Sequence, residues 1–403
     1  MSTALIDLAS PEYRLSPWNI YRRLRDEHPV YYMQGGSWDG EDLYVLSRYE
    51  DVGFALKDKT QFSSQIQQDN YMNLPMLVNR DAPEHTRLRH STNRAFNARL
   101  VRQLSGWVRT LVDELLTDLY RHDSVEFVDA YSTALPLRVV GGMLGVPLDR
   151  KADLRRWSQA VMNSFAVSAG LDPDKVPGFF EDIVEFSNYM EELAHERRGK
   201  PNRGDILGEL VEEHEGGALT RDEMVTMAWS FIAAGHETTM NLLGGGVELL
   251  LRAPALAAEL RADPSKIAAF IEEYLRLNSP TQWLLRRTAT EVTLHDTTIP
   301  AGALIHVVLG AANRDPRQFN NPDELDLTRP NVNRHFAFGA GAHFCPGAAL
   351  SRLLAEATFT AFLPVLDRFS LDTERPAQLR KQQGSYGFSQ MWLKVHPQVE
   401  QAL

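Results

Sequence analysis

Between about residues 82 and 290, apolar residues recur at three- and four-residue spacing, the period of helices with one buried face. Breaks at Gly141-Gly142, at Gly145-Val146-Pro147, at Pro173 and Pro177, and at Pro201 to Gly204 divide this stretch into several helices. Ahead of it, Pro17 to Glu27 reads as a further helix. The apolar runs 30–34 and 43–49 flank the turn-like segment 35–42 and read as short strands. The clearest helix start is Thr220-Arg221-Asp222-Glu223, with a hydroxyl at the N-cap and a Glu three residues on. Its pattern continues to Pro254, roughly 33 residues or about 50 Å at 1.5 Å per residue. After about residue 287 the chain turns to short strands and loops, and a last helix runs from about Gly347 to Arg368. The expectation is a mainly α fold with a small β portion whose sheet draws on both ends of the chain. No linker-like or repeated stretch appears, so one domain over 1–403 is expected.

Charge narrows the function. Asp and Glu number 53 against 42 Lys and Arg, a formal net charge of -11, which argues against nucleic acid as a general partner. A local basic patch for an acidic protein stays open. The N-terminal residues lack a basic-then-apolar signal pattern, and no uninterrupted apolar run reaches the roughly 18 residues of a membrane span. With a single cysteine there can be no intrachain disulfide, in keeping with a reducing cytoplasm.

That cysteine lies in the most informative segment, His335-Phe-Ala-Phe338-Gly339-Ala-Gly341-Ala-His343-Phe-Cys345-Pro-Gly347. Small residues at 339–342 let the backbone approach a flat, bulky object. Cys345 sits just before a helix start, where negative charge is stabilised and a thiolate is favoured over a thiol. A thiolate beside the aromatic Phe338 suits a haem iron. A phosphate cradle is the competing reading of a Gly-rich turn, but the Lys-Ser/Thr of a P-loop is missing. A zinc site built on His335, His343 and Cys345 would need a fourth ligand.

Midway along the long helix stands Ala234-Gly235-His236-Glu237-Thr238-Thr239. A mid-helix Gly costs about 1 kcal/mol against Ala, which asks for a compensating role. Threonines there can bond back to earlier carbonyls and open the helix. Glu273 and Arg276 share one helix face, and Arg287-Thr-Ala follows soon after Pro280.

Taken together, these residues resemble the cytochrome P450 family in its soluble bacterial form, with ordered matches from Pro83 to Arg352. The resemblance implies a cytochrome P450-like helical fold with haem b between the long central helix and the cysteine loop. Cys345 would ligate the iron, with Phe338 and Gly347 in its loop and Ala234 facing the haem. Glu237 and Thr238 would be the acid–alcohol pair that delivers protons where dioxygen is activated. His85, Arg89, Arg287 and His343 would hold the propionates, a task suited to cationic donors. Glu273, Arg276 and Arg329 would form a structural ion-pair cluster. The activity implied is a monooxygenase that hydroxylates or epoxidises a small organic substrate, in secondary metabolism, with ferredoxin and ferredoxin reductase as electron donors. It would act as a monomer, in the cytoplasm and away from membranes. Coupling or ring closure by the same oxidant, a peroxide-driven peroxygenase and a haem-binding scaffold without turnover are the alternatives; Glu237 and Thr238 weigh against the last two.

The implied pocket walls are Tyr71, Met72, Leu74 and Met76, Met162 and Phe165, Ala233 and Ala234, Trp283 and Leu284, and Tyr386 to Phe388. Arg89, Arg94, Arg99, Arg102 and Arg352 are candidates for an electron-donor patch. One departure stands out. Pro346 occupies a position where the family more often has Leu, Ile or Val, and a proline brings no N–H to the sulfur.

Overall fold

The capping box at Thr220 forms. Its hydroxyl accepts from the Glu223 N–H at 3.2 Å, and the Glu223 carboxylate accepts from the Thr220 N–H at 2.8 Å. With those end donors satisfied, the helix Arg221–Arg252 runs unbroken for 32 residues and stops just before Pro254. The computed structural model describes residues 6–37, 40–66, 76–96, 98–168, 175–200, 204–381 and 384–397.

This long helix is the axis of the fold. Helices Ala134–Met143, Lys151–Ser168 and Ala348–Phe362 pack directly on it. Two of its glycines are there for close approach. A Cβ at Gly245 would lie 1.6 Å from the Tyr274 hydroxyl, and one at Gly246 would lie 2.3 Å from the Phe359 ring. The helices Glu84–Ala95, Ala98–Leu119, Phe179–Arg197, Ile206–Glu215 and Ile267–Leu277 complete the expected series, and 57% of the chain is helical.

A five-stranded sheet lies beside the helices. Its spatial order is Val30–Met33, Leu43–Leu46, Leu304–Val307, Leu284–Thr288, Phe62–Ser63. Leu43–Leu46 and Leu304–Val307 run parallel and the other pairs antiparallel, so early and late segments are laced together. A second, three-stranded sheet joins Ser124–Glu126 to Trp392–Val395 and Phe369–Leu371. The periodicity did not foretell it, because three-residue strands carry too little alternation to stand out in a helical stretch.

The last helix begins at Ala348 and ends at Phe362, after which Leu363–Arg368 tightens into a 3-10 turn around Pro364. By length and composition Ala348–Arg368 is apolar enough to cross a membrane, which the sequence reading had not expected of any segment. Here Leu350, Leu354, Ala355, Phe359 and Phe362 are buried in the helical core, and Arg352 is ion-paired.

Candidate functional site

The cysteine loop is shaped by its glycines. Gly339 and Gly341 both have φ of +69°, and a Cβ at Gly341 would lie 2.7 Å from the Leu56 carbonyl oxygen. The Cys345 N–H donates to the Phe338 carbonyl at 3.0 Å, which closes the turn and sets the half-buried cysteine just ahead of the helix beginning at Ala348. Burial pushes the thiol pKa up; the Gly347 N–H, Arg89, Arg352 and the Ala348 N–H all oppose it by favouring the thiolate. Arg352 is held in place by Glu272, through bonds of 2.6 and 2.8 Å, and lies over the Phe338 ring at 4.5 Å.

Behind the loop, the expected ion-pair cluster is closed and buried. Arg276 bonds Glu273 at 2.7 and 3.0 Å, and Arg329 bonds it at 2.9 Å. Arg276 also donates to the carbonyls of Asn313, Pro322 and Glu324, and Arg329 to those of Asn321 and Glu324. The cluster therefore pins the segment that leads into the cysteine loop.

On the central helix, the threonine behaves as its chemistry suggests: Thr238 Oγ1 donates to the Ala234 carbonyl at 3.0 Å. The helix does not open, however, and its assignment is continuous from Arg221 to Arg252. Space comes instead from small side chains. Ala234 is exposed although Phe231, Ile232 and Ala233 before it are buried, and Thr238, one turn on, is half-buried. Glu237 is buried; it accepts from Ser385 Oγ at 2.7 Å and lies 3.7 Å from Arg380 Nη1.

Three of the four side chains assigned to the propionates come together. The His85 and His343 rings are 4.1 Å apart, and Arg89 Nη1 donates to the Phe344 carbonyl at 2.7 Å. Arg287 is the exception and must be corrected. It lies on the strand Leu284–Thr288, where successive side chains face opposite ways, and it turns to the other face, to Glu41 and to the carbonyls of Gly302 and Ile66 at 2.7 and 2.8 Å. Its neighbour Arg286 takes the inward face, lining a small cavity with His85, His343, Ser64 and Asp81. The parity of the strand could have separated the two arginines, had its register been known.

This cluster is short of negative charge. Burial lowers the pKa of His85 and of Arg89, brings His343 down to about 3 and brings Arg286 down to about 10. Asp81 is the acid that offsets the shifts of His85, His343 and Arg286, and Ser63 and Ser64 already engage its carboxylate. His85 Nε2 is buried without a partner among the described residues, and Arg286 donates only to the Leu285 carbonyl. A dianionic group placed here would satisfy both. A cysteine whose thiolate is favoured at a helix start, an exposed Ala234 on the central helix and an anion-hungry edge fit a haem.

Other expectations fare less evenly. Tyr71, Met72 and Leu74, and the side chains of Met162 and Phe165, lie outside the described residues. Trp283 packs edge-on against His306 on the strand Leu304–Val307 at 4.4 Å, and Tyr386 packs against Trp18 on the helix Trp18–Glu27 at 5.3 Å. Of the five arginines put forward for an electron donor, Arg94 is matched by Glu209 and Glu213, Arg352 by Glu272, and Arg89 is half-buried; Arg99 and Arg102 are exposed. The sequence reading missed Arg286, Glu272, Arg380 and Ser385, which carry no motif and become visible only through their contacts.

Comparison with known proteins agrees with this site. The cytochrome P450 family model matches residues 6–394. Cytochrome P450 107B1 of Saccharopolyspora erythraea is 37% identical over 359 residues, 84% of each chain. The vitamin D(3) 25-hydroxylase of Pseudonocardia autotrophica is 34% identical, covering 86% of this chain and 85% of its own. Among solved structures, the bacillaene polyketide synthase cytochrome P450 PksS of Bacillus subtilis superposes with a TM-score of 0.87 at 28% identity, covering 98% of this chain and all of its own. With the cysteine loop, the facing helix and nearly the whole length accounted for, the chain belongs to the cytochrome P450 family, whose members are oxidoreductases that bind haem through a cysteine thiolate.

Proposed function

We propose that this protein hydroxylates or epoxidises a small organic molecule of bacterial specialised metabolism, using dioxygen and two electrons delivered by a ferredoxin and its reductase. The net reaction consumes dioxygen, two electrons and two protons, places one oxygen atom in the substrate and releases the other as water. The observation that carries the reading is the lone Cys345 just ahead of the helix Ala348–Phe362, where two backbone N–H groups and two arginines favour its thiolate. Relatives named as a polyketide-biosynthesis cytochrome P450 and a vitamin D(3) hydroxylase support a substrate of comparable size.

When bound, haem supplies the activation of dioxygen and the oxidising power. The chain's own residues do the rest. Cys345 fixes the iron, and His85, Arg89, Arg286 and His343 take the propionates. Thr238 offers a hydroxyl where oxygen is to be protonated, and Glu237 passes protons to it from solvent, a general-acid task. Electrons enter from an acidic donor, for which the exposed Arg99 and Arg102 supply positive charge. We place the activity in the cytoplasm, where the lone thiol stays reduced.

The test is a carbon monoxide difference spectrum of the reduced protein. Wild type should show the strongly red-shifted Soret band of thiolate ligation, and Cys345→Ala should lose it. A band at the histidine-ligated position in wild type would end this reading.

A further inference from the structure

The buried carboxylate on the central helix finds its partners on the C-terminal hairpin, whose strands are Gln378–Leu379 and Phe388–Gln390. Glu237 Oε1 accepts from Ser385 Oγ at 2.7 Å and lies 3.7 Å from Arg380 Nη1. Asn241, one helical turn beyond Glu237, donates from Nδ2 to Ser385 Oγ at 2.9 Å. A serine hydroxyl has one proton, and here it goes to the carboxylate, so its oxygen can only accept from Asn241. That fixes the amide with Oδ1 turned away. The string Asn241–Ser385–Glu237 is thereby polarised toward the acid.

Two polar atoms beside this string are buried with no hydrogen-bond partner among the described residues, Asn241 Oδ1 and Arg380 Nε. Asn241 is only 2% exposed. Leaving a buried polar atom unpaired costs roughly 1–3 kcal/mol, and native proteins meet that cost with ordered water. The hairpin is also pressed onto the helix here: a Cβ at Gly387 would lie 2.1 Å from Asn241 Oδ1. A purely structural ion pair between Glu237 and Arg380 would need neither the serine nor two open valences at its side.

We propose that solvent protons reach Glu237 through the C-terminal hairpin, by way of the Ser385 hydroxyl and water held at Asn241 Oδ1 and Arg380 Nε. Ser385 and Arg380 are positioning residues that act through the acid, and the inference rests on the reading of Glu237 as the relay group. In each transfer the Ser385 O–H bond breaks as its proton bonds to Glu237 Oε1. Water on the hairpin side restores the hydroxyl proton, and no electrons move. The supply line is thus on a segment far from the acid in sequence, which leaves it free to vary independently of the helix motif.

The experiment uses the haem-loaded protein with a plant-type ferredoxin and its reductase as surrogate donors and no added substrate. The readouts are the share of NADPH electrons recovered as hydrogen peroxide and the solvent deuterium isotope effect on NADPH oxidation. Ser385→Ala should raise the peroxide share several-fold and enlarge the isotope effect, Arg380→Gln should do so more weakly, and Ser385→Thr should restore wild-type values. Haem content and the carbon monoxide spectrum should be unchanged in all three. A high-resolution crystal structure of the wild-type protein should show ordered water bonded to Arg380 Nε and Asn241 Oδ1. If Ser385→Ala and Arg380→Gln both behave as wild type while Glu237→Gln releases peroxide, the acid is fed by another route and the inference is overturned. Dry packing at those two atoms overturns it as well. Should Glu237→Gln itself match wild type, the fault lies in the role given to Glu237, and the hairpin route goes with it.

Discussion

At Cys345 the Gly347 and Ala348 N–H groups favour the thiolate, and the residue that separates them from the cysteine, Pro346, has no N–H to add. Hydrogen bonds to a ligating sulfur withdraw charge from it and favour the reduced metal. Pro346→Leu offers a third donor to the sulfur, so the iron's reduction potential should rise. One net hydrogen bond of about 0.5–1.5 kcal/mol corresponds to roughly 20–60 mV for a one-electron couple. Potentiometric titration of the two haem-loaded proteins reads the difference directly, and equal potentials would sink the argument. The cysteine's importance was legible in the sequence because its glycine spacing is rare and no second thiol competes. The backbone donors were expected only through the family resemblance, since an N–H has no signature in a list of side chains.

Elements decide what single residues cannot. Arg286 and Arg287 are adjacent and chemically identical, yet the strand Leu284–Thr288 turns one toward His85 and His343 and the other toward Glu41. A one-residue shift in register exchanges their roles, and the Arg287-Thr-Ala motif by which the resemblance picked Arg287 carries no register. Losing a charged hydrogen bond costs about 1.5–3 kcal/mol, so Arg286→Leu should speed haem loss to an apomyoglobin acceptor by roughly tenfold or more. Arg287→Leu should leave that rate within about twofold of wild type. The reverse ranking would put Arg287 back at the haem edge. Helices were easier to read than strands for a physical reason. The capping box at Thr220 and a long run of apolar spacing act within a segment, whereas the pairing of Leu43–Leu46 with Leu304–Val307 joins residues that share no local pattern. The Glu273–Arg276–Arg329 cluster lies between these cases: its first two members sit on one helix face, and only the fold brings up the third.

Across the whole molecule, histidines buried in the neutral form tie stability to pH. His306, on the strand Leu304–Val307, meets the Tyr13 hydroxyl at 3.4 Å and the Trp283 ring, and burial brings its pKa down to about 3. His236, on the central helix, meets Ser158 Oγ at 2.9 Å and is likewise brought down to about 3 by burial, helped by Arg380 and Arg155. Both titrate near 6.5 once the chain unfolds, so between about pH 6.5 and 3 the unfolded state binds more protons than the folded one. Stability must then rise with pH across that window and be fully present above it. A buried, neutral His306 contributes a slope of up to about 1.4 kcal/mol per pH unit below its unfolded pKa. Depressed carboxylates such as Glu272, which burial alone would raise but Arg352 and His335 hold at about 2, add to the loss only once the pH falls into the usual carboxylate range and on toward 2. The two contributions therefore separate by window. Urea denaturation at pH 7.5, 6 and 5 should show stability already falling by pH 5, before the acids begin to titrate. His306→Gln keeps a polar side chain facing Tyr13 but cannot take up a proton on unfolding, so it should flatten the curve between pH 6.5 and 5 and leave the steeper loss below pH 4 in place. An unaltered slope in that variant would mean that His306 is protonated inside the fold, and the neutral contact between the N-terminal Tyr13 and the sheet would have to be abandoned.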